Sequence, residues 1–130
     1  MHSGWSSLAD LAGIIRADKS GIRCVNIMPT TWGIRRTAQI AGALETAGIG
    51  WTMGTSHDSA IKSAASLHLA TAVTNHVYPV DILGPLLREA HVASTPLTLE
   101  SGFGVAPDAP GLGIELDEDV LQRYAADDRE

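Results

Sequence analysis

The sequence predicts an α/β fold in which short parallel strands alternate with helices. Two short apolar runs, at 22–28 and 49–53, are separated by a stretch with helical periodicity. Parallel strands cannot be joined by a tight turn, so a helix between two strands indicates a crossover connection. Both runs are apolar throughout rather than alternating, which is typical of strands covered on both faces.

The first half of the chain shows start and stop signals for three helices. Ser7 and Asp10 have the spacing of a capping box, and apolar residues then recur at helical intervals. Pro29 ends the first strand, and Gly48 ends the second helix. The second helix is predicted to present one face: Ile34, Ala38, Ala41, Leu44 and Glu45. The third is predicted to present another: Ile61, Ala64, Ala65, Leu69, Ala72 and Val73.

Residues 76–130 do not continue the alternation of strands and helices. They are predicted to form a hairpin, a turn cluster and a last helix. The hairpin joins 97–99 to 103–105, and the turn cluster covers 107–113. Asp117 is expected to cap a helix that runs from Glu118 to about Ala125. We therefore treat 1–130 as one segment, with βα units over 1–75 and these C-terminal elements after them.

Composition excludes several function classes. The 130 residues carry a net charge of -6, and 45% are hydrophobic, which is typical of a globular unit. No basic patch suited to nucleic acid is present, and Arg35–Arg36 is expected to be a solvated helix face. No apolar stretch is long enough for a membrane helix, so a cytoplasmic location is expected. Cys24, the one cysteine, is expected to be a small buried hydrophobe.

Two or three parallel strands with their helices do not close a barrel, which takes eight strands. Such an open piece leaves strand edges unpaired. We therefore expect either that further sequence lies upstream of Met1 or that the chain completes its sheet with another chain, for example as a homo-oligomer.

Five sequence blocks, in order and over nearly the whole chain, resemble the mandelate racemase and muconate-lactonising family of the enolase superfamily. The first two blocks, 26–36 and 47–59, resemble its sixth strand and the following strand with its catalytic end. The block 64–70 resembles the next helix. The blocks 81–87 and 107–116 resemble the family's C-terminal segment.

This resemblance implies the C-terminal portion of a modified TIM (β/α)7β barrel, incomplete in this chain. Enzymes of the family remove a proton next to a carboxylate, and Mg²⁺ stabilises the enolate that forms. They act as racemases, cycloisomerases or dehydratases, so a small carboxylate substrate is implied. The resemblance places the metal ligands and the lysine pair of the second strand upstream of Met1, so no metal ligand is predicted within the chain.

The resemblance also implies site residues. His57 lies within one position of the histidine that racemase-like members use as a base, and Asp58 falls where cycloisomerase-like members carry a glutamate. Thr55 and Ser56 are implied to be substrate-binding residues that line the opening of the same site. Met28 stands where the family usually has a lysine or an aspartate; a thioether is neither base nor acid, so Met28 is expected to be a substrate-binding residue only.

Other interpretations of these residues remain open. An aspartate just before a helix is commonly an N-cap, which would explain Asp58 without a site. His68 is expected to be a satisfied core histidine, and His76 and His91 lack partners at metal-ligand spacing. Trp32 and Trp51 are expected in the core or a pocket wall. The alternative to a partial enzyme is a non-catalytic, truncated or assembly module.

Overall fold

The computed structural model describes residues 7–17, 21–54 and 57–125. The chain forms two compact units, one drawn from 1–54 with 69–81 and the other from 55–68 with 82–130. The predicted division near residue 75 stays a prediction. The elements in chain order are α1 (Leu8–Arg16), β1 (Cys24–Asn26), α2 (Pro29–Trp32), α3 (Ile34–Thr46), β2 (Gly50–Thr52), α4 (Ala60–Ala72), α5 (Gly84–Leu87), β3 (Leu99–Glu100), β4 (Phe103–Gly104) and α6 (Glu118–Tyr124).

A parallel sheet organises the first unit. Strand β1 pairs with β2 in parallel, with Val25 opposite Trp51. An isolated parallel bridge then joins Trp51 to His76. The predicted parallel arrangement is therefore confirmed, although both strands are shorter than the apolar runs. Pro29 begins α2 directly after Met28, which limits the length of β1.

The core of the first unit lies against one face of these strands, since the buried residue of each is the middle one, Val25 or Trp51, and its neighbours are half-buried. The prediction that both faces are covered is therefore wrong for the described strands. The buried members of this core are Leu11, Val25, Ile27, Ile40, Ala41, Leu44, Ile49, Trp51, Met53 and Leu69. The Trp51 indole donates a hydrogen bond of 2.7 Å from Nε1 to Oδ1 of Asn75. Trp32 is half-buried and packs against the same core. The predicted core positions of both tryptophans are confirmed.

Helix boundaries follow the capping signals closely. The Ser7 hydroxyl accepts from the Asp10 amide at 3.2 Å, and the Asp10 carboxylate accepts from the Ser7 amide at 2.9 Å. Gly48 has φ of +70°, which suits the residue that ends α3. The short helices α2 and α5 were not predicted. Each spans four residues, which is too short to show a helical period.

The predicted face of α3 is wrong in part. Ile34 is 46% exposed and Glu45 is exposed, whereas Thr37 is buried. The Thr37 hydroxyl donates to the carbonyl oxygen of Gly33 at 2.8 Å, which satisfies its polar group inside the unit. The buried face therefore includes a threonine that an apolar pattern does not reveal.

The second unit contains the first part of α4, the hairpin and α6. Ala64 and Ala65 are buried as predicted, but Ile61 is 36% exposed. Strands β3 and β4 pair antiparallel through a turn in which Ser101 and Gly102 both have positive φ, which confirms the hairpin. Asp117 accepts from the Val120 amide at 3.0 Å and caps α6 as predicted.

None of the helices in the described ranges has the length and apolar character needed to cross a bilayer.

Replacing Leu44 by alanine tests the core of the first unit. Leu44 is fully buried on α3, so we expect Leu44→Ala to lower the free energy of unfolding by ~2–5 kcal/mol through lost burial and a cavity. Ile34→Ala, on the exposed end of the same helix, should cost less than ~1 kcal/mol. Urea denaturation followed by circular dichroism measures both. Equal losses would contradict the burial assigned to Leu44.

Candidate functional site

The predicted site residues fall in different parts of the chain. Met28 belongs to the first unit, where its extended backbone joins β1 to α2 and its carbonyl oxygen accepts from the Thr31 amide at 3.2 Å. His57 and Asp58 belong to the second unit and precede α4. Thr55 and Ser56 lie outside the described residues. The assignment of all five to a site stays a prediction.

The carboxyl ends of the two parallel strands are tied together within the first unit. The side-chain oxygen of Asn26, the last residue of β1, accepts from the Gly54 amide at 3.1 Å. A methyl group on Gly54 would lie 2.6 Å from the Asn26 amide nitrogen, so a larger residue there would displace the Asn26 side chain. Catalytic residues of α/β barrels lie at this end of the strands. Asn26 was not predicted, although a polar residue in an apolar run was the available signal.

The segment that carries His57 and Asp58 is held in an uncommon conformation. His57 has φ of 58°, a region that residues other than glycine adopt infrequently. The Arg88 guanidinium donates to the carbonyl oxygens of both residues, at 3.3 Å from Nε to Asp58 and through Nη2 to His57. Residues held in such conformations cluster at functional sites, which favours a functional role for this segment.

Close packing restrains the same segment from another direction. Gly84, the first residue of α5, lies so near the backbone of Asp58 that an added methyl group would overlap the Asp58 carbonyl oxygen. A glycine is therefore required at this contact. Arg88 and Gly84 together restrain the Asp58 backbone from neighbouring positions of the chain.

The side chain of Asp58 forms a buried ion pair. Its Oδ2 lies 2.5 Å from the Nζ of Lys62, and the two side chains are 10% and 7% exposed. Asp58 lies two residues before α4 and Lys62 lies in its first turn, so the pair joins the segment that precedes the helix to the helix itself. The i,i+4 spacing of opposite charges could have revealed this pair from sequence. Nothing in the sequence indicated the contacts of Arg88.

The described residues do not fit a Mg²⁺ site. Magnesium prefers several oxygen ligands, with carboxylates among them. In the described ranges, no group of three histidine, cysteine, aspartate or glutamate side chains gathers to hold a metal ion. The Asp58 carboxylate already faces an ammonium group at 2.5 Å, which a bound cation would repel.

Cavities among the described residues of the second unit include a small one and a larger one. One, of about 140 Å³, is lined by Ala60, Pro85, His91 and Leu97 among others, and is smaller than a usual small-molecule pocket of ~300–1,000 Å³. The other, of about 690 Å³, lies along α6, and no predicted site residue lines it. Neither cavity is a complete substrate pocket built around His57 and Asp58.

Two further histidines, His68 and His76, and the arginine pair are accounted for by their surroundings. The Nε2 of half-buried His68 lies 3.1 Å from the carbonyl oxygen of Leu112, so the ring donates there and the predicted core role is confirmed. His76 packs on Trp51, with ring centroids 5.4 Å apart. Arg35 and Arg36 are exposed on α3, as predicted for a solvated face.

These features define a class: an α/β segment of βα units with polar residues after the strand ends. A sequence profile described as enolase C-terminal domain-like matches residues 5–120. The chain therefore belongs to the enolase superfamily, in its mandelate racemase and muconate-lactonising family, as the C-terminal part of the barrel domain. The predicted fold class is confirmed.

Several relatives are similar to the chain. A chloromuconate cycloisomerase of Cupriavidus pinatubonensis is 31% identical over 125 residues, which cover 96% of this chain and 33% of that protein. A muconate cycloisomerase of Acinetobacter lwoffii is 34% identical over 95 residues, covering 73% of this chain and 25% of the relative. The crystal structure of an N-succinyl Arg/Lys racemase from Bacillus cereus superposes with a TM-score of 0.84 at 29% identity, over 95% of this chain and 32% of that one. The chain thus spans a quarter to a third of the relatives that it matches.

Gly84→Ala tests the packing behind Asp58. Because the added methyl meets backbone atoms that cannot swing away, we expect the free energy of unfolding to fall by ~1–3 kcal/mol. Gly42→Ala is the matched control: Gly42 lies within α3, and a methyl there meets nothing within 4 Å. The control should stabilise by ~0.5–1 kcal/mol through helix propensity. Urea denaturation of both variants measures the difference, and two changes of the same sign would contradict the contact.

Cys24 gives a pH-dependent prediction. Burial raises the pKa of the Cys24 thiol above its ordinary value of 9.0. Because the thiolate is the nucleophile, alkylation by iodoacetamide should be slower in the folded chain than in urea, with its pH profile displaced upward. The folded state holds the proton more tightly, so this contribution to stability is complete below pH 9.0 and is lost as pH rises through the folded pKa. Equal alkylation rates in folded and unfolded chain would contradict the shift.

Proposed function

We propose that this chain supplies the C-terminal part of an enolase-superfamily active site that takes a proton from the carbon next to a carboxylate. The observation that carries the proposal is the family match over residues 5–120, a range that includes His57 and Asp58. The named relatives, a racemase and two cycloisomerases, point to a small carboxylate as substrate.

Racemisation, dehydration and lactone formation are proposed to pass through the same enolate. The C–H bond next to the carboxylate breaks, a base receives the proton, and the electron pair moves into the carboxylate to form an enolate. Returning the proton to the opposite face racemises the substrate, and expelling a β-hydroxyl group dehydrates it. Run in the opposite direction, with a carboxylate oxygen adding to a double bond and a proton then delivered to carbon, the same enolate leads to a lactone.

The proposal gives His57 the role of proton carrier, because histidine most readily takes and returns protons near neutral pH. Asp58 would lie beside the substrate carboxylate or enolate. Its pairing with Lys62 supports this role, because the pair is neutral overall and so places no net negative charge beside an anionic substrate. Met28, Thr55 and Ser56 are proposed to contact the substrate.

The chain is proposed to act together with residues that it does not contain. It spans 33% of the Cupriavidus relative, and its described residues do not gather a magnesium site. We propose that the remaining two thirds of a family barrel, including the Mg²⁺ ligands, come from preceding sequence or from another chain. The bound metal would supply positive charge at the enolate.

A second candidate is a non-catalytic module that completes its sheet with another chain. The observation that favours it is the position of β1, which pairs with β2 on one side among the described strands of the first unit. Such an edge can accept a strand from a partner. A homo-oligomer is the simplest assembly of this kind.

Exchange of the α-proton tests the first candidate. We would incubate the chain with Mg²⁺ in D₂O with N-succinyl-lysine or with cis,cis-muconate, alone and mixed with the N-terminal two thirds of the Cupriavidus cycloisomerase. The expected result is loss of the α-proton signal, or formation of a deuterated lactone, in the mixture and not with the chain alone. Asp58→Asn should lower the rate ~10–100-fold, as expected for loss of an interaction made at the transition state.

Each outcome of this experiment separates the candidates. The isolated N-terminal part and a mixture containing His57→Ala serve as controls for background exchange. Exchange by the chain alone would contradict its incompleteness. No exchange in any mixture, together with a stable oligomer in sedimentation velocity, would overturn the enzymatic proposal in favour of the assembly module.

A further inference from the structure

We infer that Lys62 is a positioning residue whose ammonium group sets the orientation of the Asp58 carboxylate in the site. The meaning of this role for catalysis rests on the proposed function. The geometry itself rests on the second unit alone, which contains both residues together with Arg88 and Gly84.

The ion pair is short and nearly withdrawn from water. Nζ and Oδ2 are 2.5 Å apart, and the side chain of Lys62 is 7% exposed. Lysine usually extends its ammonium group to solvent along an apolar stem, so a buried ammonium is unusual. Turning either side chain away would remove the opposite charge that each faces in nearly dry surroundings, which is unfavourable. The burial therefore favours one orientation of the Asp58 carboxylate.

A gain in stability does not by itself explain the buried ion pair of Asp58 and Lys62. A buried ion pair is often matched or exceeded in stability by apolar side chains of similar volume. The pair does provide direction, because a carboxylate held by a fixed ammonium has few alternative rotamers. Lys62 therefore contributes a fixed orientation of the Asp58 carboxylate.

The other restraints on the segment act on different atoms. Arg88 donates to the carbonyl oxygens of His57 and Asp58, and Gly84 packs against the Asp58 backbone. Both therefore fix the main chain, including the positive φ of His57. Lys62 acts on the Asp58 side chain. Arg88 and Gly84 thus restrain the backbone of Asp58, and Lys62 restrains its carboxylate.

The experiment compares Lys62→Met with Arg36→Met. Both changes replace a basic side chain by an apolar one on a helix, but Arg36 is exposed on α3 and lies outside the proposed site. The three-bond Hα–Hβ couplings of Asp58, measured by NMR on the full chain, report its χ1 rotamer. The wild type and Arg36→Met should show one rotamer, and Lys62→Met should show averaged couplings.

Kinetics of α-proton exchange in the complemented mixture give the second readout. Misplacing a group at the transition state lowers kcat, so Lys62→Met should lose ~10–100-fold in kcat with KM within ~2-fold of wild type. Lys62→Arg keeps the charge and should recover most of kcat. If Lys62→Met does not fold, Lys62→Gln, which keeps a donor without the charge, is measured in its place.

The outcomes distinguish this inference from the proposed function. A single Asp58 rotamer and an unchanged kcat in the folded variant, with only lower stability, would overturn the positioning role. If no mixture shows exchange, the proposed function fails, and the couplings alone decide whether Lys62 orients Asp58. Averaged couplings in Arg36→Met as well would also overturn the assignment, since the effect would not be specific to Lys62.

Discussion

Parallel pairing of β1 with β2 is the constraint on which the first unit depends. Two parallel strands need a crossover between them, and α3 with its flanking turns provides it. The helix must then bury one face, which places Leu44 and Ile40 against the strands. Trp51 of β2 also forms the parallel bridge with His76, and it is only 1% exposed. The position of α3 and the tie between Asn26 and Gly54 follow from this pairing.

Much of this fold could be predicted from local signals. Capping residues placed the ends of helices well, because Ser7 and Asp117 make the hydrogen bonds that their spacing predicts. Apolar periodicity placed the faces less well. Thr37 is buried and Ile61 is partly exposed, because tertiary packing and side-chain hydrogen bonds decide burial where the pattern is ambiguous. The four-residue helices α2 and α5 are too short to leave a periodic signal.

The candidate site was predicted less completely than the fold. Resemblance pointed to His57 and Asp58, which share one restrained segment of the second unit. It did not point to the groups that hold the segment. Arg88 lies 30 positions from Asp58 in sequence, and a contact of this range has no local pattern. Lys62 is only four positions away, yet opposite charges at this spacing are common on exposed helix faces, so its burial was not foreseen.

The separation of paired residues along the chain has a consequence for the order of folding. Cys24 pairs with Gly50, and the bridge joins Trp51 to His76, so each pairing closes a loop of roughly 25 residues. Leu99 and Gly104 are nearer still. Contacts between near neighbours carry a low entropic cost of closure and are associated with fast folding. The pairing of β1 with β2 therefore closes over a short stretch of chain, whereas the core around it is complete only when Leu69 of α4 has joined it.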